Sequence, residues 1–128
     1  MISSDLDLET AIQLVNDISN QMDDVVMIES EWDPPPTIAD EVACVYVLEV
    51  SVSNSSTGSA ATVPTLYIGE TEHLADRIGK HRYTFGKQIK IAVFPMKNGA
   101  GKTEARRTEA RAIVEARRAG FVLHNISS

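Results

Sequence analysis

The sequence has a single cysteine, Cys44, and no Lys or Arg among its first 76 residues. One cysteine cannot form an intramolecular disulfide, and with three scattered histidines it offers no spacing typical of a zinc site. The apolar runs are far shorter than the ~20 residues of a membrane helix, and no secretory signal is recognisable. We therefore expect an intracellular, cytoplasmic protein with no membrane partner and no thiol chemistry.

Acidic and basic residues are segregated along the chain. Residues 1–76 contain fifteen of the eighteen Asp and Glu residues, whereas residues 77–128 contain all twelve Lys and Arg residues and three Glu. The two parts carry formal charges of −15 and +9, against a net charge of −6. This segregation predicts a basic surface suited to phosphates on the C-terminal half, although a solvated helix face is the alternative interpretation.

The first third of the chain predicts an acidic helix followed by a linker. Apolar residues recur at helical spacing over residues 5–22, behind the N-cap types Ser3, Ser4 and Asp5. A β-branched segment over residues 25–28 precedes three prolines, which predict a linker or turn over residues 33–37. We interpret residues 1–41 as an acidic N-terminal helical extension that is packed on, or linked to, a domain of residues 42–128.

The remainder of the chain alternates strand and helix patterns. The predicted elements are a strand over 42–53, a flexible hairpin loop over 53–64, a strand over 65–69, a helix over 71–83, a strand over 88–94, a helix over 103–119 stopped by Gly120, and a short strand over 121–123. This order predicts one compact domain of the α/β or α+β class, in which helices cover a small sheet.

Three groups of residues have side chains suited to catalysis, phosphate binding or metal binding. Tyr46 and Tyr67 lie in consecutive strands that a hairpin can bring side by side. Arg77 and His81 lie four residues apart in the next helix, so both project from one face and could meet a phosphate. Glu109 lies among arginines in the last helix, and its carboxylate is the hard oxygen ligand that Mg²⁺ or Mn²⁺ prefers.

Together these residues resemble the GIY-YIG nuclease family in order and spacing. The resemblance covers residues 42–126, and its most specific part is Leu66-Tyr67-Ile68-Gly69-Glu70-Thr71 with the helix that follows. Cys44 departs from the pattern, since the family usually has glycine there. The resemblance implies a small, mostly antiparallel three-stranded sheet flanked by helices, and a metal-dependent endonuclease acting on DNA.

The resemblance also implies roles for individual residues. Glu109 would bind the metal, while the rival carboxylates Glu104 and Glu115 fit the family spacing less well and are expected at the surface. Arg77 would stabilise the scissile phosphate, and Tyr46 would be the leading general base, with His81 as the alternative. The remaining catalytic positions are Tyr67 and Asn125; the expected substrate-binding residues are Gly69, Lys80, Arg82, Lys87 and Arg106.

The sequence is also compatible with other functions. The domain could be a catalytically silent GIY-YIG domain that binds nucleic acid or a protein. The acidic segment 1–41 could dock a protein partner, support a homodimer, or lie over the basic face and limit access of DNA, in which case its deletion would strengthen binding. The glycine-rich segment 98–103 lacks the early glycine of a phosphate-binding P-loop, because Met96 occupies that position, so we interpret it as a turn and helix cap.

Overall fold

The computed structural model describes residues 7–28, 42–50, 65–85, 90–97 and 101–124. Its elements in chain order are α1 (Leu8–Asn16), β1 (Val26–Ile28), β2 (Cys44–Val50), β3 (Thr65–Thr71), α2 (Leu74–Phe85), β4 (Lys90–Pro95), α3 (Lys102–Ala119) and β5 (Val122–Leu123). The α+β class is confirmed, as are the four central elements β2, β3, α2 and β4 within the described residues.

The five strands form one mixed sheet in the order β1-β4-β2-β3-β5. Three neighbouring pairs are antiparallel, and only β3 with β5 is parallel among the described strands. The prediction of a three-stranded sheet is therefore wrong. The two additional strands have three and two residues. β5 confirms the short strand predicted over 121–123, whereas β1 lies in the β-branched segment over 25–28, which was not assigned to the sheet.

Helices cover both faces of the sheet. Small side chains of α3, among them Ala105, Ala112 and Ala116, pack with α1 against one face. On the other face, Leu74 and Ile78 of α2 pack against β2 and β4. Because successive residues of a strand point to opposite faces, Tyr46 and Tyr67 lie on the α2 face, whereas Val45 and Val47 lie on the α3 face.

The N-terminal helix is shorter than its sequence pattern predicts. Asp7 caps it, with its carboxylate accepting from the backbone N–H of Thr10 at 3.0 Å, and the helix ends at Asn16 rather than at residue 22. Asp17 is the C-cap of this helix, and Met22 instead forms a β-bridge with Met96. Residues 5 and 6 lie outside the described part of the chain.

The acidic segment supplies part of the structural core. Leu8 and Val15 of α1 are buried, and Ile28 of β1 is buried where β1 pairs with β4. Deletion of residues 1–41 would remove these side chains together with an edge strand. That deletion therefore cannot test whether the segment masks a binding surface, because it would destabilise the fold.

The last helix has the boundaries that its sequence predicts to within one residue. It begins after Gly101 and ends at Gly120, whose φ of 104° is the left-handed conformation that favours glycine. The backbone N–H of Gly120 donates to the carbonyl of Arg117 at 3.0 Å. β5 follows at once and pairs with the start of β3, so the chain returns to the edge of the sheet beside the candidate site.

Several predictions fall on residues outside the described part of the chain. These are the linker at 33–37, the hairpin loop at 53–64, and the two predicted site residues Lys87 and Asn125.

Candidate active site

Tyr46 lies at the centre of the candidate site because β2 is the middle strand of the sheet. Its side chain is only 2% exposed, and its directly opposed partner on β3 is Gly69. A Cβ atom at position 69 would lie 2.5 Å from the Tyr46 hydroxyl oxygen. The missing side chain of Gly69 therefore provides the space that the end of the tyrosine ring occupies.

Aromatic side chains enclose this tyrosine. The Tyr67 ring is stacked parallel to that of Tyr46, with an interplanar angle of 7° and centroids 6.2 Å apart. The His81 ring lies 4.7 Å from that of Tyr67, and Phe85 stacks on His81 at 5.8 Å. The prediction that the two strands bring Tyr46 and Tyr67 together is confirmed, and α2 adds His81 to the pair.

A buried hydrogen bond joins Tyr46 to His81. The Tyr46 hydroxyl oxygen lies 2.8 Å from Nε2 of His81. Burial and then the positive charge of Arg77 lower the pKa of His81 to about 4, so the imidazole is neutral at pH 7. Burial, assisted by Tyr67, raises the pKa of Tyr46 far above its usual value. At neutral pH the pair is therefore a neutral phenol beside a neutral imidazole, and the phenol can donate to Nε2 when the imidazole proton is on Nδ1.

Arg77 is half-buried in the first turn of α2, one turn before His81. Its guanidinium opposes the rise in the pKa of Tyr46, through its charge and through a hydrogen bond. The same charge contributes to the lowered pKa of His81 and opposes the rise in the pKa of Glu109. Arg77 is thus the cation that faces all three groups, and its fork of N–H donors suits a phosphate.

Glu109 is half-buried on the flank of α3 that faces β3. Burial and then the negative charge of Glu70 raise its pKa, and the charges of Arg106, Arg77 and Lys102 act in the opposite direction. The carboxylate of Glu109 therefore lies in a charged setting and is close enough to contribute to the raised pKa of Tyr46, although α3 packs on the other face of the sheet. The structure brings together four predicted site residues from three separate elements: Tyr46, Arg77, His81 and Glu109.

Glu70 and Lys102 are site neighbours that the sequence analysis missed. Lys102 Nζ lies 3.1 Å from Glu70 Oε2, and Arg106 Nε lies 3.6 Å from Glu70 Oε1. The Glu70 side chain is only 12% exposed, so this ion pair is largely shielded from water. The four-residue spacing of Lys102 and Arg106 indicated one helix face, but no local pattern placed Glu70 opposite that face.

His124 and Phe85 were also missed. Their rings are perpendicular with centroids 5.0 Å apart, and His124 lies 6.5 Å from Tyr67. The His124 backbone N–H donates to the carbonyl of Leu66 at 2.7 Å. This bond depends on the parallel pairing of β5 with β3, which the sequence did not reveal.

The predicted substrate-binding residues are dispersed. Lys80 lies on the exposed side of α2, where it pairs with Asp76 at 3.6 Å and not with the tyrosine pair. Arg82 is half-buried on the same helix, and Arg106 is exposed beside Glu70. The rival carboxylates Glu104 and Glu115 pair with arginines of their own helix at 3.4 and 3.7 Å.

The chain matches no protein-family model, no curated protein and no solved structure. Within the described residues, no helix has both the length and the apolar character needed to cross a membrane. The indications of function therefore come from the side chains of the candidate site.

Acidic pH is expected to destabilise the fold through His81. The pKa of this residue is about 4 in the folded protein and near 6.5 in an unfolded chain. Between these two pH values the unfolded chain binds a proton at His81 that the folded chain does not bind. The free energy of unfolding is therefore unaffected by His81 above pH 6.5, and it decreases as the pH falls toward 4. At pH 4.5, His81 alone should lower the free energy of unfolding by about 2 to 3 kcal/mol.

Urea denaturation at pH 7.5 and 4.5 measures this effect, with His81→Gln as the control because glutamine does not titrate. The variant should lose less stability than the native protein on acidification, and the difference between the two losses isolates His81. Equal losses in both proteins would show that His81 keeps an ordinary pKa in the folded state.

Proposed function

We propose that this chain is a metal-dependent endonuclease that hydrolyses DNA phosphodiester bonds at a GIY-YIG-type site. The observation that carries the proposal is the 2.8 Å hydrogen bond between Tyr46 and His81 in the space above Gly69. Arg77 and Glu109 both influence the pKa of Tyr46, which indicates that a cation and a carboxylate lie close to the same hydroxyl. A proton-transfer pair, a phosphate ligand and a metal ligand therefore share one region.

The residues present fit a single Mg²⁺ or Mn²⁺ ion held by Glu109. Mg²⁺ usually keeps several waters and needs one or two carboxylates together with substrate phosphate. The raised pKa of Glu109 reflects burial and then the nearby negative charge of Glu70, against the opposing charges of Arg106, Arg77 and Lys102. A bound cation would offset the two carboxylate charges. When bound, such an ion supplies charge neutralisation at the scissile phosphate and activation of water.

Arg77 is proposed to bind the scissile phosphate. Its guanidinium can donate two parallel hydrogen bonds to phosphoryl oxygens, and the charge is already beside the tyrosine pair. Negative charge develops on those oxygens as water attacks, so a fixed cation there stabilises the transition state more than the ground state.

Tyr46 and His81 are proposed to move the proton of the attacking water together. Tyr46 alone is a poor base, because burial holds its pKa far above neutrality. If the Tyr46 hydroxyl gives its proton to Nε2 of His81 as it takes one from water, the phenol ends neutral and the imidazole ends cationic. The charge of Arg77 is one cause of the low pKa of His81. An anionic substrate bound at Arg77 would offset this charge and so stabilise the imidazolium.

The proposal is tested by cleavage of supercoiled plasmid, branched DNA and single-stranded DNA, each with Mg²⁺, with Mn²⁺ and with EDTA. The native chain should cut at least one substrate only when metal is present. Arg77→Gln should reduce the single-turnover rate at saturating DNA by about 10²-fold or more, since it removes a donor from the developing charge.

Arg117→Gln is the matched control for Arg77→Gln. It removes the same charge from an exposed position near the end of α3, so it should leave the rate within about twofold of native. If the native chain binds DNA but cuts none of the substrates, the silent binding domain becomes the better account. Equal rates for Arg77→Gln and Arg117→Gln would remove Arg77 from the mechanism.

A further inference from the structure

Three arginines form a stripe along the exposed side of α3. Arg107, Arg111 and Arg118 are all exposed, and their spacings of four and seven residues place them within roughly 40° of one another around the helix axis. At 1.5 Å per residue, the stripe extends over about 16 Å. We refer to these three residues as the arginine stripe.

The arginine stripe lies on the opposite flank of α3 from the candidate active site. Glu109 is separated from the stripe by roughly 160–180° around the helix axis. Lys102 and Arg106 are on the Glu109 flank, where they pair with Glu70. The buried side of the helix between the two flanks, which includes Ala112, packs on the sheet. A ligand on the stripe would therefore not occupy the tyrosine site.

A polar groove continues the surface of the stripe toward α1. The groove has a volume of about 890 Å³, and its lining includes three cations, Arg107, Arg111 and Lys97, and two carboxylates, Glu104 and Asp17. Asn20 and Gln21, which follow α1, also line the groove. Amide groups can donate to phosphate oxygens and sugar hydroxyls, so the lining offers neutral donors beside the three cations.

The ion pairs that two of these arginines make with neighbouring glutamates of α3 are weak. Arg107 contacts Glu104 at 3.4 Å and Arg118 contacts Glu115 at 3.7 Å, yet the two arginine side chains are 72% and 73% exposed. Exposed pairs at such spacings stabilise a helix by only a few tenths of a kcal/mol. Both guanidinium groups can therefore exchange their carboxylate for a phosphate at little cost.

We propose that the arginine stripe, with Lys97 in the adjoining groove, binds the phosphate backbone of a nucleic-acid duplex as a contact separate from the active site. Duplex DNA presents one phosphate per 3.4 Å of axis on each strand, so a stripe of about 16 Å faces roughly five phosphates of a strand. Three cations spread over that length match a regular polyanion. The inference rests on the proposed function for the class of ligand, but it concerns binding and not cleavage.

The test is fluorescence anisotropy of a labelled duplex of about 30 base pairs, in EDTA so that no cleavage occurs, over a series of salt concentrations. The triple variant R107Q/R111Q/R118Q should bind about tenfold or more weakly than the native chain at moderate salt. Its slope of log affinity against log salt should be shallower by about 2 to 3, since each phosphate contact contributes about 0.9 to that slope.

Two control variants separate this effect from a general loss of structure. R107K/R111K/R118K keeps the three charges and should retain the native salt slope. Glu104→Gln removes the carboxylate beside Arg107 and should strengthen binding, which is the opposite of what a destabilised protein would do. Thermal unfolding of each variant, followed by circular dichroism, checks that the fold is intact.

An unchanged affinity and salt slope in R107Q/R111Q/R118Q would overturn the inference, even if the native chain cuts DNA and Arg77→Gln does not. A native chain that binds no duplex but binds poly-glutamate through these arginines would also overturn it and indicate an acidic protein partner. Conversely, loss of the salt slope in the triple variant supports the stripe even if the native chain proves to have no nuclease activity.

Discussion

Gly69→Ala should lower the free energy of unfolding by about 2 to 4 kcal/mol and abolish activity that depends on Tyr46. The new Cβ atom would lie 2.5 Å from the Tyr46 hydroxyl oxygen and 2.6 Å from Cζ. The ring cannot move freely, because it is buried between Tyr67 and His81. Any shift that relieves the clash lengthens the hydrogen bond to His81, which leaves a buried hydroxyl and a buried imidazole without their partner.

Gly79→Ala is the matched control for this prediction. Gly79 lies on the exposed side of α2, and a Cβ atom there would meet nothing within 4 Å. Alanine in a helix interior is favoured over glycine by roughly 0.5 to 1 kcal/mol, so this variant should be as stable as the native chain or more stable. Chemical denaturation of the three proteins measures both effects. Equal stability of Gly69→Ala and the native chain would show that the tyrosine does not need the space above position 69.

The central sheet and the long helix were predictable because their signals are strong. β2 and β3 each have seven residues, enough for their apolar and β-branched composition to be recognised. The helix α3 has 18 residues and ends at a glycine in the left-handed conformation, which is the usual stop signal. Tyr46, Tyr67 and Glu109 lie on these elements, so most residues of the candidate site could also be located from the sequence.

The pairing at the edges of the sheet was not predictable for a physical reason. β1 and β5 are stabilised by pairing with β4 and β3, which are distant in sequence, and not by their own composition. Tertiary contacts of this kind override the weak propensity of two or three residues. The same limit explains the end of α1, where Met22 leaves the helical pattern to pair with Met96.

The electrostatics of the site also depend on tertiary structure. A tyrosine that acts as a general base needs the metal or cationic neighbours to lower its pKa, and Arg77 does act in that direction on Tyr46. Burial acts more strongly and raises the pKa instead, because a phenolate is poorly solvated inside the protein. The Glu70 pair with Lys102 was equally invisible, since its partners are 32 residues apart and meet only when α3 packs across β3.

Glu109→Gln should have a large effect on cleavage, because Glu109 is proposed to hold the metal of the nuclease site. Glutamine keeps the size and most hydrogen bonds of the side chain but removes the charge that binds a divalent cation. The loss of metal-assisted charge stabilisation is expected to slow cleavage on the order of 10³-fold. Glu115→Gln is the matched control, because Glu115 lies on the same helix and pairs with exposed Arg118.

The most direct measurement is therefore the single-turnover rate of plasmid nicking at saturating DNA with Mg²⁺ or Mn²⁺, compared among the native chain, Glu109→Gln and Glu115→Gln. We expect metal-dependent nicking by the native chain, a rate within about twofold of native for Glu115→Gln, and loss of nicking for Glu109→Gln that higher metal concentrations restore in part. A nicking rate that stays at the native level in a folded Glu109→Gln protein would contradict the proposed role of Glu109.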